Sequence, residues 1–153
     1  MSDEYWDYFH GEASLAHFAS EAAKGAANAA KWAANISMWA SDSGLHESNA
    51  QAAIHYANIS QMATEVAKCA LNFATSQVAL VDSAFSTILQ DASLVEEDRQ
   101  RNVREIFAAF EQARVEGVEP AVDAVEGAER VVREALEDAN EIMRLVNEVE
   151  SRE

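Results

Sequence analysis

Residues 44–93 decide the fold, and they read GLHESNAQAAIHYANISQMATEVAKCALNFATSQVALVDSAFSTILQDAS. After its first residue this stretch has no glycine and no proline, and between Asn49 and Val81 its only formally charged side chains are Glu65 and Lys68. Its residues favour helix. A surface helix normally keeps a charged face in water. Because this one has so few charges, we expect neighbours to cover it on more than one side.

The large apolar residues of this predicted helix recur at helical spacing and form one seam. They are Ile59, Met62, Val66, Phe73, Leu80, Ala84 and Ile88. The face that would otherwise be charged consists of Ala, Ser, Thr, Asn and Gln, which are small or neutral and suit the close approach of another helix. Cys69 lies in an apolar run and is expected to be a core residue. The pattern therefore predicts packing and assembly rather than chemistry.

The whole composition favours an all-α fold. Of the 153 residues, 49% are hydrophobic, many of them alanine, and there are only five glycines and one proline, so we expect a thin, tight core of helices. The formal net charge of −16 argues against non-specific binding to nucleic acid or to an anionic membrane. A lone cysteine cannot form an internal disulfide, which favours a cytoplasmic location. No run of eighteen apolar residues occurs, so no membrane span is expected.

Turn signals predict four helices. The first covers residues 2–42, the second starts near Leu45, the third covers about 94–115 and the fourth about 120–150, with turns near 42, 92 and 117. Such helices predict an elongated four-helix, coiled-coil-like bundle or a pair of long antiparallel hairpins. The fourth helix has a regular seam: Val118, Ala121, Val125, Ala128, Val132, Ala135, Ala139, Ile142, Val146 and Val149.

A change in composition predicts two domains. All three lysines precede residue 93, all eight arginines follow it, and residues 95–153 hold 17 of the 27 acidic residues. We therefore expect an alanine-rich, low-charge hairpin over residues 1–93 and a charged amphipathic hairpin over residues 94–153. The first is expected to be the assembly region.

No pattern of residues indicates catalysis, a metal site or a cofactor site. The four histidines (His10, His17, His46 and His55) form no Glu-x-x-His pair, so the di-iron signature of helical bundles is absent and surface histidines are expected. Phosphate loops, nucleophile elbows and zinc spacings are also missing. The tryptophans Trp6, Trp32 and Trp39 are expected to be packing anchors rather than the lining of a ligand pocket.

Part of the organising stretch resembles a segment of the Reb family, the structural proteins of bacterial refractile bodies (R-bodies). The resemblance covers roughly residues 32–75. Its pairs are Gly44-Leu45, Asn49-Ala50, Ala52-Ala53, Asn58-Ile59 and Ala63-Thr64. It implies a cytoplasmic subunit that polymerises into a rolled ribbon, which in some cases unrolls in acid and contributes to toxicity toward a host.

We therefore expect a non-enzymatic structural subunit whose partner is itself, with or without related subunits. The expected assembly interface consists of Asn49, Ala52, Ala53, Asn58, Ile59, Met62, Val66, Phe73 and Leu80. Two other functions stay open: a phasin-like coiled-coil protein that coats granules, and an acidic inhibitor that binds a basic protein surface.

Overall fold

The computed structural model describes residues 2–89 and 96–152, with side chains described for residues 7–81, 101 and 103–152. Within these ranges the chain is helical apart from a short turn at residues 43–46. Helix α1 spans Ser2–Asp42, α2 spans Glu47–Leu89, α3 spans Glu96–Gln112 and α4 spans Glu119–Arg152, with a π-helical segment, Ala113–Val118, between α3 and α4. The all-α prediction is confirmed. The predicted turn near residue 92 lies outside the described residues.

A glycine allows the turn between α1 and α2. Gly44 has a φ of 130°, a conformation that side chains disfavour. Its carbonyl oxygen accepts hydrogen bonds from the backbone N–H of His46 at 2.9 Å and from Nδ2 of Asn49 at 3.1 Å. This turn joins α1 and α2 as an antiparallel hairpin.

The predicted turn near residue 117 is wrong. In place of a turn, the π-helical segment carries α3 into α4, and the N–H of Glu119 donates to the carbonyl oxygen of Arg114, five residues earlier. Pro120 follows directly, in the first turn of α4. Since proline has no N–H to donate, a shift in hydrogen-bond register just before it lets the helix continue.

The chain packs as two compact units, each built from parts of α1, α2 and the α3–α4 segment. The first unit contains residues 1–22 and 69–122, and the second contains residues 23–68 and 123–153. This grouping follows packing, whereas the expected boundary near residue 93 follows composition and stays a prediction.

The core of the second unit is rich in alanine, as the composition predicts. A cluster of buried residues joins all three helical segments: Ala40 from α1, Ala50, Ala53 and Ala57 from α2, and Ala139, Ile142 and Val146 from α4. Alanine lets the helices approach closely, and α4 supplies most of the larger side chains. The predicted α4 seam is confirmed except at its last position, because Val149 is 43% exposed.

The core of the first unit uses larger side chains. Phe9 and Ala13 of α1 pack with Val81 of α2 and with Ile106 and Phe110 of α3. The rings of Phe9 and Phe110 meet edge to face, with centroids 6.4 Å apart. In the same unit α1 lies close to the π-helical segment, since a Cβ placed on Gly117 would be only 3.2 Å from the Cβ of Ser20.

Candidate assembly surface

The large apolar side of α2 faces outward. We call Ile59, Met62, Val66, Phe73 and Leu80 the α2 seam; all five are exposed, Met62 to 69% and Val66 to 61%. Ile59, Val66, Phe73 and Leu80 recur every seven residues, which is coiled-coil spacing. The two faces of α2 thus differ: small residues such as Ala53 and Ala67 are buried within the chain, and the large ones are exposed. The side chains of Ala84 and Ile88 lie outside the described ones.

The other four residues of the expected interface lie elsewhere. Ala53 is fully buried in the core of the second unit, and Ala52 packs against that core half-buried. Asn49 holds the turn at Gly44. Asn58 is exposed next to the α2 seam. The structure therefore brings together the large residues of the expected interface and assigns Ala53 and Asn49 to the fold itself.

Cys69 lies between Val66 and Phe73 on the same face, and its thiol is free and exposed. The expectation that Cys69 is a core residue is therefore wrong. The physical reason is that α2 packs through its small residues rather than its large ones. Cys69 lies on the outward side of α2, while Ala67 and Ala74 on the inward side are buried.

Helix α1 presents a second apolar surface, which the sequence reading missed. We call the outward residues of its second half the α1 strip: Ala22, Gly25, Ala29, Trp32, Ile36 and Trp39. All six are exposed, Trp32 to 70% and Trp39 to 73%. The expectation that Trp32 and Trp39 anchor the packing of the chain is therefore wrong, because buried alanines do so instead.

The signal that would have revealed the α1 strip is a second heptad register in the same helix. Residues 22, 29 and 36 and residues 25, 32 and 39 follow the alternating spacing of three and four that marks a coiled-coil seam. The buried positions of this part of α1 follow the same spacing at Ala23, Ala27, Ala30, Ala34 and Ser37. The two registers place the strip on the other side of the helix.

The outer face of α4 differs sharply, because it carries charges that pair along the helix. Arg144 binds Glu141 at 2.7 Å and also contacts Glu148. The guanidinium lowers the pKa of Glu141, and the two carboxylates raise the pKa of Arg144. These exposed intrahelical pairs are typical of a solvated face.

One carboxyl group of the second unit is held among like charges. Asp138 has a raised pKa, chiefly from desolvation and then from the charges of Asp42, Glu134 and Glu137. This repulsion is relieved when acid protonates Asp138.

The four histidines are all exposed, two in each unit. His10 and His17 line an open groove of about 270 Å³ between α1 and the end of α3, together with Phe18 and Gln112. His46 and His55 are exposed in the second unit. Among the described residues, no three potential metal ligands from His, Cys, Asp and Glu come together.

No family model matches this chain, and comparisons with curated proteins and with solved structures give no match. In the ranges that the structure describes, none of the helices is both long and apolar enough to cross a membrane.

Proposed function

We propose that this chain is a non-enzymatic structural subunit that assembles with copies of itself through the α2 seam. The observation that carries the proposal is the exposure of Ile59, Val66, Phe73 and Leu80 at seven-residue intervals. Scattered exposed apolar residues are normal on a protein surface, but a continuous apolar face usually meets a partner. The regular interval favours another helix as that partner.

The low charge of α2 favours a second copy of this chain as the partner of the α2 seam. Over residues 49–81 only Glu65 and Lys68 are charged. Lys68 lies 3.6 Å from Glu65 and 3.6 Å from Glu129, so both charges have partners within the chain. Two α2 seams therefore meet without like charges at their centre, although the net charge of −16 repels whole subunits at long range.

The energetics favour repeated contacts over a single one. Complete burial of a large apolar side chain is worth roughly 1.5–3 kcal/mol, so the exposed part of each seam residue contributes about 1 kcal/mol. Two seams of five residues then gain on the order of 10 kcal/mol, which is comparable with the roughly 4–15 kcal/mol that association costs. One pair of seams is marginal, and an extended assembly adds further contacts for each subunit.

The resemblance to Reb proteins supports a specific form of assembly, an R-body-like cytoplasmic ribbon that responds to pH. Acid neutralises carboxylates between subunits and thereby changes the curvature of the ribbon. The excess of acidic side chains provides the chemistry for such a response. A polymer whose shape stays constant from neutral pH to about pH 5 contradicts this part of the proposal.

Electron microscopy and sedimentation velocity of the purified chain test the proposal. We expect ribbons or filaments for the wild type and their loss in Phe73→Glu, because a carboxylate in the seam resists burial. Asn140→Glu is the matched control, since it adds the same charge at an exposed position of α4 and leaves assembly intact.

The same samples separate the two other functions. Binding to hydrophobic granules by a chain that forms only small oligomers indicates a phasin-like coat protein. Salt-sensitive capture of a basic protein indicates an acidic inhibitor. Either result without ribbons or filaments contradicts the structural-subunit proposal.

A further inference from the structure

We propose that the α1 strip is a second self-association surface, in which α1 of one copy pairs antiparallel with α1 of another. This pairing rests on the proposed function, because it adds a second contact to a subunit that already assembles through the α2 seam. The geometry of the pairing is argued from the residues of the α1 strip alone. All six are exposed and uncharged: Ala22, Gly25, Ala29, Trp32, Ile36 and Trp39.

Gly25 is the first observation in its favour. A glycine inside a helix costs roughly 1 kcal/mol of stability relative to alanine. No atom of the chain requires a glycine here, because a Cβ placed on Gly25 would have nothing within 4 Å. By contrast, Gly117 has Ser20 against it. The bare backbone of Gly25 instead gives room on the outer surface for a side chain of another molecule.

The order of residue sizes selects the antiparallel register. In an antiparallel pair a two-fold axis relates the two copies of α1, and we place this axis midway between residues 30 and 31. Each small residue then meets a large one of the second copy: Ala29 faces Trp32, Gly25 faces Ile36, and Ala22 faces Trp39. Every layer then contains one small and one large side chain, so the helices remain evenly spaced. A parallel pairing would instead stack Trp32 on Trp32 and glycine on glycine.

The polar residues beside the α1 strip agree with this register. Asn28 and Asn35 are exposed, and the same axis brings Asn28 of one copy beside Asn35 of the other, where two amides can exchange hydrogen bonds. Lys31 is the charged residue nearest the axis. Its ammonium group lies against α4, 3.1 Å from the point where a Cβ placed on Gly127 would be. No like charges therefore meet near the axis.

The area of the α1 strip sets the strength of this contact. An aromatic side chain carries roughly 150–250 Å², so Trp32 and Trp39 together expose on the order of 300 Å², and the smaller residues of the strip add less than this. Standard interfaces bury about 800 Å² on each side. The α1 pairing between two copies is therefore smaller than a standard interface. It becomes stronger in an assembly that also uses the α2 seam, because the second contact is then made within an existing complex. Because the two pairings use different helices, a subunit that makes both has two neighbours.

Four variants test the pairing, and the measured quantity is the dissociation constant or the critical concentration of assembly. Gly25→Leu is expected to weaken assembly by about tenfold or more, because it crowds Ile36 of the other copy. Ala29→Trp and Trp32→Ala each weaken assembly by about tenfold, the first by overfilling a layer and the second by emptying it. The double variant Ala29→Trp with Trp32→Ala restores assembly, since each layer again holds one large and one small residue.

Two controls make the outcomes decisive. Thermal unfolding shows whether each variant folds, and Gly25→Leu is expected to unfold at a higher temperature than the wild type, so its weaker assembly cannot come from unfolding. Asn140→Leu places the same leucine side chain at an exposed position of α4 and leaves assembly unchanged.

The outcomes separate this inference from the proposed function. If Phe73→Glu abolishes assembly while Gly25→Leu and the single swaps leave it unchanged, the α1 pairing is overturned and the α2 seam stands. If only the α1 variants act, the α1 pairing stands and the role of the α2 seam is overturned. If the double swap fails to restore what the single swaps lose, the proposed register is overturned.

Discussion

The hydroxyl group of Ser37 in α1 donates a hydrogen bond of 2.7 Å to the backbone carbonyl oxygen of Ala53 in α2. Both residues are fully buried, and a side chain as short as serine reaches a neighbouring backbone only if the two helices lie very close. The bond shows why the small faces of α1 and α2 pack inside the chain, which leaves the large apolar faces outside.

Loss of this bond tests the close packing of the hairpin. We expect Ser37→Ala to lower the free energy of unfolding by about 1 kcal/mol, because the variant loses a buried hydrogen bond without adding bulk. Ser41→Ala is the control, since Ser41 bonds to the carbonyl oxygen of Ser37 in its own helix and its loss is expected to change little. Urea unfolding measures both, and equal effects would contradict a special role for Ser37.

Two glycines are expected to respond in opposite directions to the same substitution. Gly25→Ala stabilises the fold by about 1 kcal/mol, because alanine favours helix and meets nothing within 4 Å. Gly117→Ala destabilises it, because the new methyl group meets the Cβ of Ser20 at 3.2 Å and its Oγ at 3.1 Å, and α1 has to shift. Thermal unfolding distinguishes them, and stabilisation by Gly117→Ala would show that α1 and the π-helical segment lie farther apart than described.

Gln77 offers a stabilising substitution. Its Oε1 atom is buried and has no hydrogen-bond partner among the described residues, a state that costs roughly 1–3 kcal/mol. We expect Gln77→Met, which keeps the shape and removes the polar group, to raise the free energy of unfolding by about 1 kcal/mol. Gln61→Met on the exposed side of α2 is the comparison, and a gain no larger at residue 77 than at residue 61 would argue against an unsatisfied oxygen.

Asp138 gives a pH dependence with a defined sign. Because its pKa is raised in the fold, the folded chain holds this proton more tightly than the unfolded chain does, so lowering the pH through the raised pKa stabilises the fold. Asp138→Asn removes the repulsion at neutral pH and is expected to stabilise by a few tenths of a kcal/mol, since the site is exposed and screened. The gain disappears at a pH below that pKa and shrinks in high salt, and a gain that persists in acid would refute this assignment.

Much of the fold could be predicted from the sequence because its signals are local. The bounds of α1, the turn at Gly44 and the α4 seam from Val118 to Val146 follow from capping, glycine and heptad spacing. The continuity through Pro120 could not be predicted, because proline usually starts a helix and the π-helical shift before it has no local signal here.

The assignment of faces on α2 is a tertiary effect. Hydrophobicity alone would put Phe73 and Leu80 inside the chain and Ala67 and Ala74 outside, and the structure does the reverse. The alanine and serine seam of α1 decides this, because a small face on one helix selects a small face on the next. The large residues that the sequence groups into one seam on α2 are exposed, and their role as an interface stays a prediction. The second heptad register of α1 is present in the sequence, but only the structure shows that it faces outward.

The reactivity of Cys69 measures the burial of the α2 seam most directly. Its thiol lies between Val66 and Phe73 and is exposed in the single chain, so an aromatic disulfide reagent reacts with it readily in dilute protein. If copies cover the α2 seam, the reaction slows as the protein concentration rises, and it stays fast at every concentration in Phe73→Glu. A wild-type rate that stays the same from dilute to concentrated protein would contradict self-assembly through this seam.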